Sequence, residues 1–337
     1  MKIRVPPNKS SDSGAALITV LVMVAIMSAI AILVVDAAQF AIRRTSNQTQ
    51  MDQARWYLLG AEGFASERLG ALTRLQSGAS TEFAATQGQP LTYPLDNGVM
   101  TIRLYDGSNC FNLNSLVEQD ESGSLRPSAR GQIQFAQLID ALALQGVNAA
   151  GLVANVTDYI DSDQSPLPGG TEDAPAIRAG QAPYRTANTL LGDVSEVLSV
   201  RGFDPETVAA IAPLICVRET ALPNVINVNT LRPDQAVLIA IAFGPGLTVS
   251  QARSVLSSRP TQGWQDVETF LSHPAFAGLE NLDEIRTRFS TRPQFVVVRA
   301  DIQLRDTVEK SATLIEIGPP TRVLRRVLGA TVTERSV

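Results

Sequence analysis

Histidine and cysteine are scarce in this 337-residue chain, which contains one histidine, His273, and two cysteines, Cys110 and Cys216. A single histidine excludes most catalytic triads and most zinc sites. The sequence also lacks the G-x-S-x-G, Walker A and G-x-G-x-x-G motifs. His273 precedes a proline in LSHPAF, and we expect it in a turn. We therefore predict no catalytic residues and no enzymatic activity.

The net charge is distributed unevenly along the chain. The chain carries a net charge of −5, whereas residues 1–14 contain Lys2, Arg4 and Lys9 against Asp12, so the remainder stands at −7. Contacts to nucleic-acid phosphates need basic surface. This balance argues against nucleic-acid binding.

A long uncharged segment follows the basic leader. From Ala15 to Val35, 21 residues carry no charge. A helix of that length rises roughly 32 Å, which is enough to cross a bilayer core of about 30 Å. The run exceeds the about 7–15 apolar residues of a removable secretory signal. The positive-inside rule places the leader in the cytoplasm and the chain after Ala38 across the membrane.

Both cysteines lie in this exported part. In an oxidising compartment an isolated pair favours a disulfide over a metal site, so we predict that Cys110 and Cys216 pair. Two buried free thiols are the alternative.

The helical pattern continues beyond the membrane segment. No proline interrupts residues 15–76, and apolar residues recur at helical spacing. We expect one continuous helix over 15–76, with 15–35 in the membrane and an amphipathic second half. The predicted apolar residues of that half are Trp56, Leu59, Phe64, Leu69 and Leu72.

Strand patterns occur at the two ends of the remaining chain. Residues 77–110 contain the hairpin-turn sequence Asp96-Asn97-Gly98, followed by alternating apolar residues. Residues 293–337 contain three further patterns, at 294–306, 307–318 and 321–329. Because a lone hairpin is marginal in water, we expect both ends to form one antiparallel sheet in an α+β fold.

The intervening residues 111–292 lack strand patterns and predict an inserted all-α domain. The expected helices are 128–145, 147–160, 193–200, 204–212, 233–242, 248–257 and 264–272. An acidic, Pro/Gly-rich loop, 158–173, separates the second helix from the third.

This acidic loop concentrates carboxylates without any basic residue. They are Asp158, Asp161, Asp163, Glu172 and Asp173. Such crowding is costly unless a cation neutralises it, and hard oxygen ligands suit Ca²⁺. Pro166 stands where an EF-hand loop needs glycine, so the loop is not an EF-hand. A solvated acidic loop is the alternative.

Residues 226–271 resemble a helix-hairpin-helix unit, with Gly244-Pro245-Gly246 as the hairpin and Ala252 and Val255 on the packed second helix. A weaker copy occupies 192–211. Pro245 has no amide donor for a phosphate, and the nearby basic residues are few, namely Arg253 and Arg259. We expect a packing module and not a DNA-binding module.

The leader ending in Gly14, followed by AALITVLVMV, resembles the class III signal of type IV pilins and pseudopilins. In that family the prepilin peptidase cuts after the glycine on the cytoplasmic face, and the apolar helix is retained. The resemblance implies removal of residues 1–14 by cleavage between Gly14 and Ala15, followed by N-methylation of Ala15.

The insert motifs VTDYIDSDQSPLPGGTEDAPAI, VSEVLSVRGFDPE and INVNT are similar to those of the GspK family, the large minor pseudopilins of type II secretion, and most of all to its pseudomonad form. The resemblance covers essentially the whole chain. It implies a type IV pilin-like fold carrying a helical insert, and a subunit that forms the pseudopilus tip and initiates its assembly. The implied location is the inner membrane, as a single-pass protein with a periplasmic C-terminal domain.

The same resemblance implies partners and site residues. The partners are the minor pseudopilins GspI, GspJ and GspH, the major pseudopilin, the prepilin peptidase and inner-membrane lipid, without nucleic acid. A calcium site falls on Asp161, Asp163, Glu172 and Asp173. Most pilins and pseudopilins have glutamate at the fifth residue after the cleaved glycine, and this chain has Thr19, which predicts the first position in the filament.

Two alternative functions are a type IV pilus-like DNA-uptake protein using the helix-hairpin-helix unit, and a membrane-anchored hydrolase. The first needs basic residues on the hairpin, and the second needs a paired catalytic constellation. Neither feature is visible in the sequence.

Overall fold

The structure is a computed structural model that describes residues 12–74, 79–172, 185–305 and 307–329. Its helices are α1 (Asp12–Arg74), α2 (Ala79–Thr86), α3 (Ala129–Ala141), α4 (Ala149–Ile160), α5 (Pro205–Ile211), α6 (Ala236–Phe243), α7 (Val249–Ser257), α8 (Val267–Leu271) and α9 (Leu282–Arg286). Its strands are β1 (Leu91–Leu95), β2 (Gly98–Asp106), β3 (Phe111–Asn112), β4 (Val117–Gln119), β5 (Leu125–Pro127), β6 (Ile215–Cys216), β7 (Ile226–Asn227), β8 (Phe289–Ser290), β9 (Phe295–Leu304), β10 (Thr307–Glu316) and β11 (Arg322–Leu328).

Helix α1 begins at Asp12, inside the predicted leader, and runs without a break to Arg74. By length and composition it can cross a bilayer, and it is the one helix among the described residues that meets this test. The side chains from Ala15 to Val35 are all exposed. A single N-terminal apolar helix therefore supplies a candidate membrane anchor.

The second half of α1 packs on the sheet through a face that includes Leu69 of the predicted apolar set, whereas Leu72 lies outside the residues whose side chains are described. The buried residues recur every three or four positions and are Ala54, Leu58, Ala61, Ala65 and Leu69. Trp56 is 73% exposed, and Leu59 and Phe64 are also exposed, so placing these three on the buried face was wrong. The alanines explain the difference, because small side chains let the helix approach β9 and β10 closely.

The sheet joins strands from both ends of the chain, in the order β1-β2-β9-β10-β11, and all its pairs are antiparallel. Strand β2 pairs with β9 from Gly98 opposite Leu304 to Asp106 opposite Val296. A Cβ atom at Gly98 would lie 1.9 Å from the Gln303 carbonyl oxygen, so this position requires glycine. The α+β class and the three C-terminal strands are confirmed.

Residues between β2 and β9 form a second hydrophobic core, separate from the core between α1 and the sheet. Its largest fully buried side chains include Phe135 on α3, Phe270 on α8, and Phe276. The predicted helices 128–145, 147–160, 204–212, 248–257 and 264–272 correspond to α3, α4, α5, α7 and α8. The prediction 233–242 corresponds to one 3₁₀ turn followed by α6, and 193–200 to the 3₁₀ helix Val194–Ser199.

The expectation that strands are absent from the insert was wrong. Three pairs of very short strands lie there: β3 with β6, β4 with β5, and β7 with β8. Each strand has two or three residues, too few to show an alternating pattern. Helices α2 and α9 were also not anticipated.

The end of β2 is tied to the insert by buried polar contacts. Asp106 accepts hydrogen bonds from Asn227 Nδ2 at 2.7 Å and Thr230 Oγ1 at 2.6 Å. A disulfide joins Cys110 to Cys216, with Cα atoms 5.6 Å apart, next to the parallel pair β3–β6. The sheet and the insert are thus connected by side chains as well as by the chain itself.

Candidate metal site

The candidate site is built at the C-terminal end of α4. Asn148 caps the start of this helix by accepting a hydrogen bond from Gly151 N, and the helix packs into the insert core through its apolar residues. Asp158 lies in the last turn, and Asp161 is the first residue beyond Ile160. Residues separated by three share one helix face, so both carboxylates point to the same side.

Glu172, near the end of the acidic loop, brings a third carboxylate to this face. Oxygen atoms of Asp158, Asp161 and Glu172 lie within 4.8 Å of one another, and all three residues are buried. Asp158 Oδ1 accepts a hydrogen bond from Leu167 N at 3.0 Å, and Glu172 Oε2 accepts one from Thr186 Oγ1 at 3.3 Å. Among the described residues, neither Asp161 oxygen has a hydrogen-bond partner, and Asp158 Oδ2 has none.

The electrostatics of this cluster disfavour three negative charges. Burial, and then the neighbouring carboxylates Asp163, Glu172 and Asp158, raise the pKa of Asp161 to about 7. Burial also raises the pKa of Asp158. The C-terminal end of a helix carries a partial negative charge, which adds to the penalty. No residue in the described part of the chain forms an ion pair with Asp158 or Asp161.

The cluster could bind a metal ion. Its oxygen atoms converge, and buried carboxylate oxygen atoms without a hydrogen-bond donor are the groups that a hard cation satisfies. The backbone passes closely, since a Cβ atom at Gly170 would lie 2.0 Å from Asp158 Oδ2. A side chain at position 170 would therefore fill the space beside the carboxylates.

The predicted ligands divide into three groups. Asp161 and Glu172 lie in the cluster. Asp163 is exposed, and its Oδ1 accepts a hydrogen bond from Ser165 N at 2.7 Å. Asp173 lies outside the described residues. Asp158 was missing from the predicted ligand set, although its spacing of three from Asp161 on one helix could have identified it.

The helix-hairpin-helix unit is a packing element in the structure. Ala252 and Val255 are fully buried. Arg259 donates hydrogen bonds to the carbonyl oxygens of Asn229 and Leu231, and its guanidinium lies 5.5 Å from the Trp264 ring centroid. This guanidinium is thus occupied by contacts within the protein.

Other predicted positions lie on separate elements. Gly14 and Ala15 are within α1, and Thr19 Oγ1 donates to the Ala16 carbonyl oxygen at 2.9 Å. His273 Nδ1 accepts a hydrogen bond from Ala275 N at 3.1 Å, which places its ring at a turn.

Two family models match this chain, both described as type II secretion system (T2SS), protein K. They cover residues 109–220 and 226–292, which include the carboxylate cluster, the disulfide and the helix-hairpin-helix unit.

Relatives match over a longer span. A type II secretion system protein K of Pectobacterium carotovorum is 30% identical, covering 95% of this chain and 98% of the relative. The protein K of Klebsiella pneumoniae is 34% identical over 78% of this chain and 79% of its own length. The Pseudomonas aeruginosa protein K is 28% identical, over 95% and 94% of the two chains.

A solved structure matches as well. A chain of the GspK-GspI-GspJ complex of enterotoxigenic Escherichia coli superposes with a TM-score of 0.70 and 28% identity. The match covers 86% of this chain and 100% of that chain.

Proposed function

Because the chain belongs to the family of type II secretion system protein K, we propose that it is the minor pseudopilin at the tip of a periplasmic pseudopilus and initiates pseudopilus assembly for protein export. The observation that carries this proposal is the match to a solved GspK-GspI-GspJ complex over 86% of the chain. The role is structural and needs no catalytic residue.

The same match supports a proposal about partners. We propose that the chain binds GspI and GspJ, and that GspH and the major pseudopilin add behind them. The exposed apolar side chains of α1 outside the membrane segment, including Trp56 and Phe64, provide a surface for such subunits. Their exposure is otherwise unfavourable in water.

Co-purification of the full chain in detergent with the GspI and GspJ of the same bacterium tests this assignment. We expect a stoichiometric complex that is weakened by Trp56→Ala and unchanged by the control Arg253→Ala, which removes an exposed side chain of α7. Failure of the wild-type chain to bind either protein contradicts the proposal. Retention of duplex DNA that depends on Arg253 instead favours the DNA-uptake alternative.

The membrane placement is a further part of the proposal. The basic leader stays in the cytoplasm, α1 crosses the inner membrane once, and the sheet and insert lie in the periplasm. The prepilin peptidase removes residues 1–14, and Ala15 is then N-methylated. Mass spectrometry of the native N-terminus checks this: a start at Gln39 contradicts it, because that start is typical of an ordinary signal peptide.

We assign Ca²⁺ to the carboxylate cluster. All its side-chain ligands are oxygen atoms, which favours a hard cation over zinc or copper. Asp158, Asp161 and Glu172 hold the ion in this proposal, and Asp163 and Asp173 remain candidates for completing the shell. The bound ion neutralises the buried charge and fixes the loop against the end of α4.

A further inference from the structure

A cavity of about 660 Å³ lies beside the hairpin between α6 and α7, away from the carboxylate cluster. One wall is a face of α3, formed by Arg130, Ile133, Gln134 and Gln137. Their spacing of three, four and seven residues is that of a single helix face. Ile133 is 57% exposed, so the cavity edge carries an apolar side chain that is largely open to solvent.

Another wall of the cavity is formed by α9 and by Arg288, which lies two residues after the end of that helix. Glu284, Ile285 and Arg288 line the cavity from this side. The backbone of Arg288 is held firmly, because its amide donates to Ile285 O and its carbonyl oxygen accepts from Ile226 N. Phe243 and Leu279 close the cavity with apolar surface.

The two arginines of the cavity differ in their partners. Arg130 forms an ion pair with Glu284 across the cavity. The guanidinium of Arg288 forms no ion pair and no hydrogen bond with any described residue, and its Nε atom is buried. Burial, and then the charge of Arg130, lower the pKa of Arg288 to about 10. The nearest opposite charge, Glu284, raises the pKa of Arg288 only in part, because Glu284 is already paired with Arg130. A partly dehydrated cation without an ion-pair partner of its own is costly, and an anion from outside would relieve that cost.

We propose that this cavity binds a carboxylate joined to an apolar group, with the carboxylate on the Arg288 guanidinium. A guanidinium binds a carboxylate through two parallel hydrogen bonds. The apolar group would contact Ile133, Phe243 and Leu279 at the rim. This combination of groups occurs at the C-terminal residue of a polypeptide chain and in small organic acids.

The charges of the lining favour a monoanion. Arg130 and Arg288 are balanced by Glu280 and Glu284, so the four charged side chains sum to zero before the ligand enters. A phosphate dianion would face both glutamates, and Pro245 of the hairpin has no N–H to donate to it. A single carboxylate fits this lining better.

The test is a calorimetric titration of the full chain in detergent with N-acetyl-leucine and with N-acetyl-leucinamide, which has the same apolar group without the charge. We expect the carboxylate to bind at least about tenfold more tightly than the amide. Arg288→Met should remove this difference. The control Arg286→Met should keep it, because Arg286 is exposed, pairs with Glu268 and does not line the cavity.

Further arms identify the source of the carboxylate. Binding of N-acetyl-leucine above acetate indicates a polypeptide C-terminus or a larger acid, whereas N-acetyl-aspartic acid α-amide reports binding of an acidic side chain. The proposal is overturned if N-acetyl-leucine and its amide bind equally, if inorganic phosphate binds more tightly than N-acetyl-leucine, or if no carboxylate binds. If Arg288→Met does not fold, Ile133→Ala is the second variant, and it should weaken N-acetyl-leucine more than acetate.

Discussion

Aspartate side chains in this protein have different acidities because their surroundings differ. Asp120, in the turn between β4 and β5, accepts hydrogen bonds from Ser122 N, Ser122 Oγ, Ser124 N and Arg126 Nε, and these lower its pKa to about 2, with the Ser122 side chain contributing most. At Asp161, burial and the neighbouring carboxylates outweigh the backbone N–H of Asp163, and the pKa rises to about 7. Hydrogen-bond donors to the ionised carboxylate thus lower its pKa, whereas burial raises it.

Asp120 provides a prediction about acid titration. Its folded pKa lies below the ordinary value of about 3.9, so the folded protein binds fewer protons there than the unfolded chain, and its contribution to stability is lost as pH falls from about 3.9 towards 2. Ser122→Ala should move the titration midpoint towards 3.9, as measured by ¹³C NMR of labelled aspartate carboxyl groups. Ser124→Ala is the control, because it keeps the backbone N–H donor. An unchanged midpoint in Ser122→Ala contradicts the assignment.

The calcium assignment predicts a stability change that depends on Asp161. An ion present at 100 times its dissociation constant adds about 2.7 kcal/mol to the free energy of unfolding. Chelation of the full chain should therefore lower its melting temperature, and Asp161→Asn should remove most of this response. Asp140→Asn, at an exposed position on α3, should respond as the wild type does. Identical melting of calcium-loaded and metal-stripped wild-type protein would falsify the site.

Part of this site could be predicted from the sequence. The crowding of acidic residues without a basic neighbour is visible in the sequence, and two of the expected ligands, Asp161 and Glu172, lie in the cluster. Their burial was not predictable, because it depends on a loop that returns past Gly170 to the end of α4. The unpaired Arg288 gave no signal either, since its surroundings come from α3 and the α6–α7 hairpin, which are distant in the chain.

At the scale of elements, pattern length decides what the sequence predicts. Strands β9, β10 and β11 have 7 to 10 residues, enough for alternation to be recognised. Strands β3 and β6 have two residues each and pair across about 100 residues of chain, so only tertiary structure defines them. Part of the buried face of α1 was mispredicted for a related reason, because alanines pack against the sheet beside Leu58 and Leu69 while Trp56 and Phe64 face outward.

The disulfide carries the prediction for this scale. It closes a loop with a sequence separation of 106, which in the chain-entropy model stabilises the folded state by up to about 4.7 kcal/mol. Denaturant unfolding should show a loss of this order or smaller in Cys110→Ala/Cys216→Ala, because strain reduces the gain. The control is Ser257→Ala, at an exposed position on α7, which should change the free energy of unfolding little. Alkylation of two thiols in the unreduced, unfolded wild type contradicts the bond.

At the scale of the whole molecule, three parts follow one another along the chain, beginning with the apolar N-terminal segment. The apolar half of α1 is exposed along its length, its second half packs on the sheet, and the insert extends from the end of β2. An ion pair between Arg325 of β11 and Asp193 of the insert adds to the connection between sheet and insert. A subunit with this additional mass has less room for a neighbour stacked ahead of it, which favours the end of a filament.

Thr19 provides the prediction that tests this position. In pilin-like filaments a glutamate here is thought to pair with the N-terminal ammonium of the subunit ahead, and a carboxylate in the bilayer without such a partner costs on the order of 3 kcal/mol. Thr19 carries no charge and satisfies its hydroxyl within its own helix, on the Ala16 carbonyl oxygen. We therefore expect about one copy per pseudopilus, at the distal end.

Thr19→Glu should reduce the number of pseudopili, because no ammonium lies ahead of it, whereas Thr19→Ser should assemble normally. Quantitative immunolabelling measures both, and many copies along the shaft, or normal assembly by Thr19→Glu, would place another subunit ahead of this one.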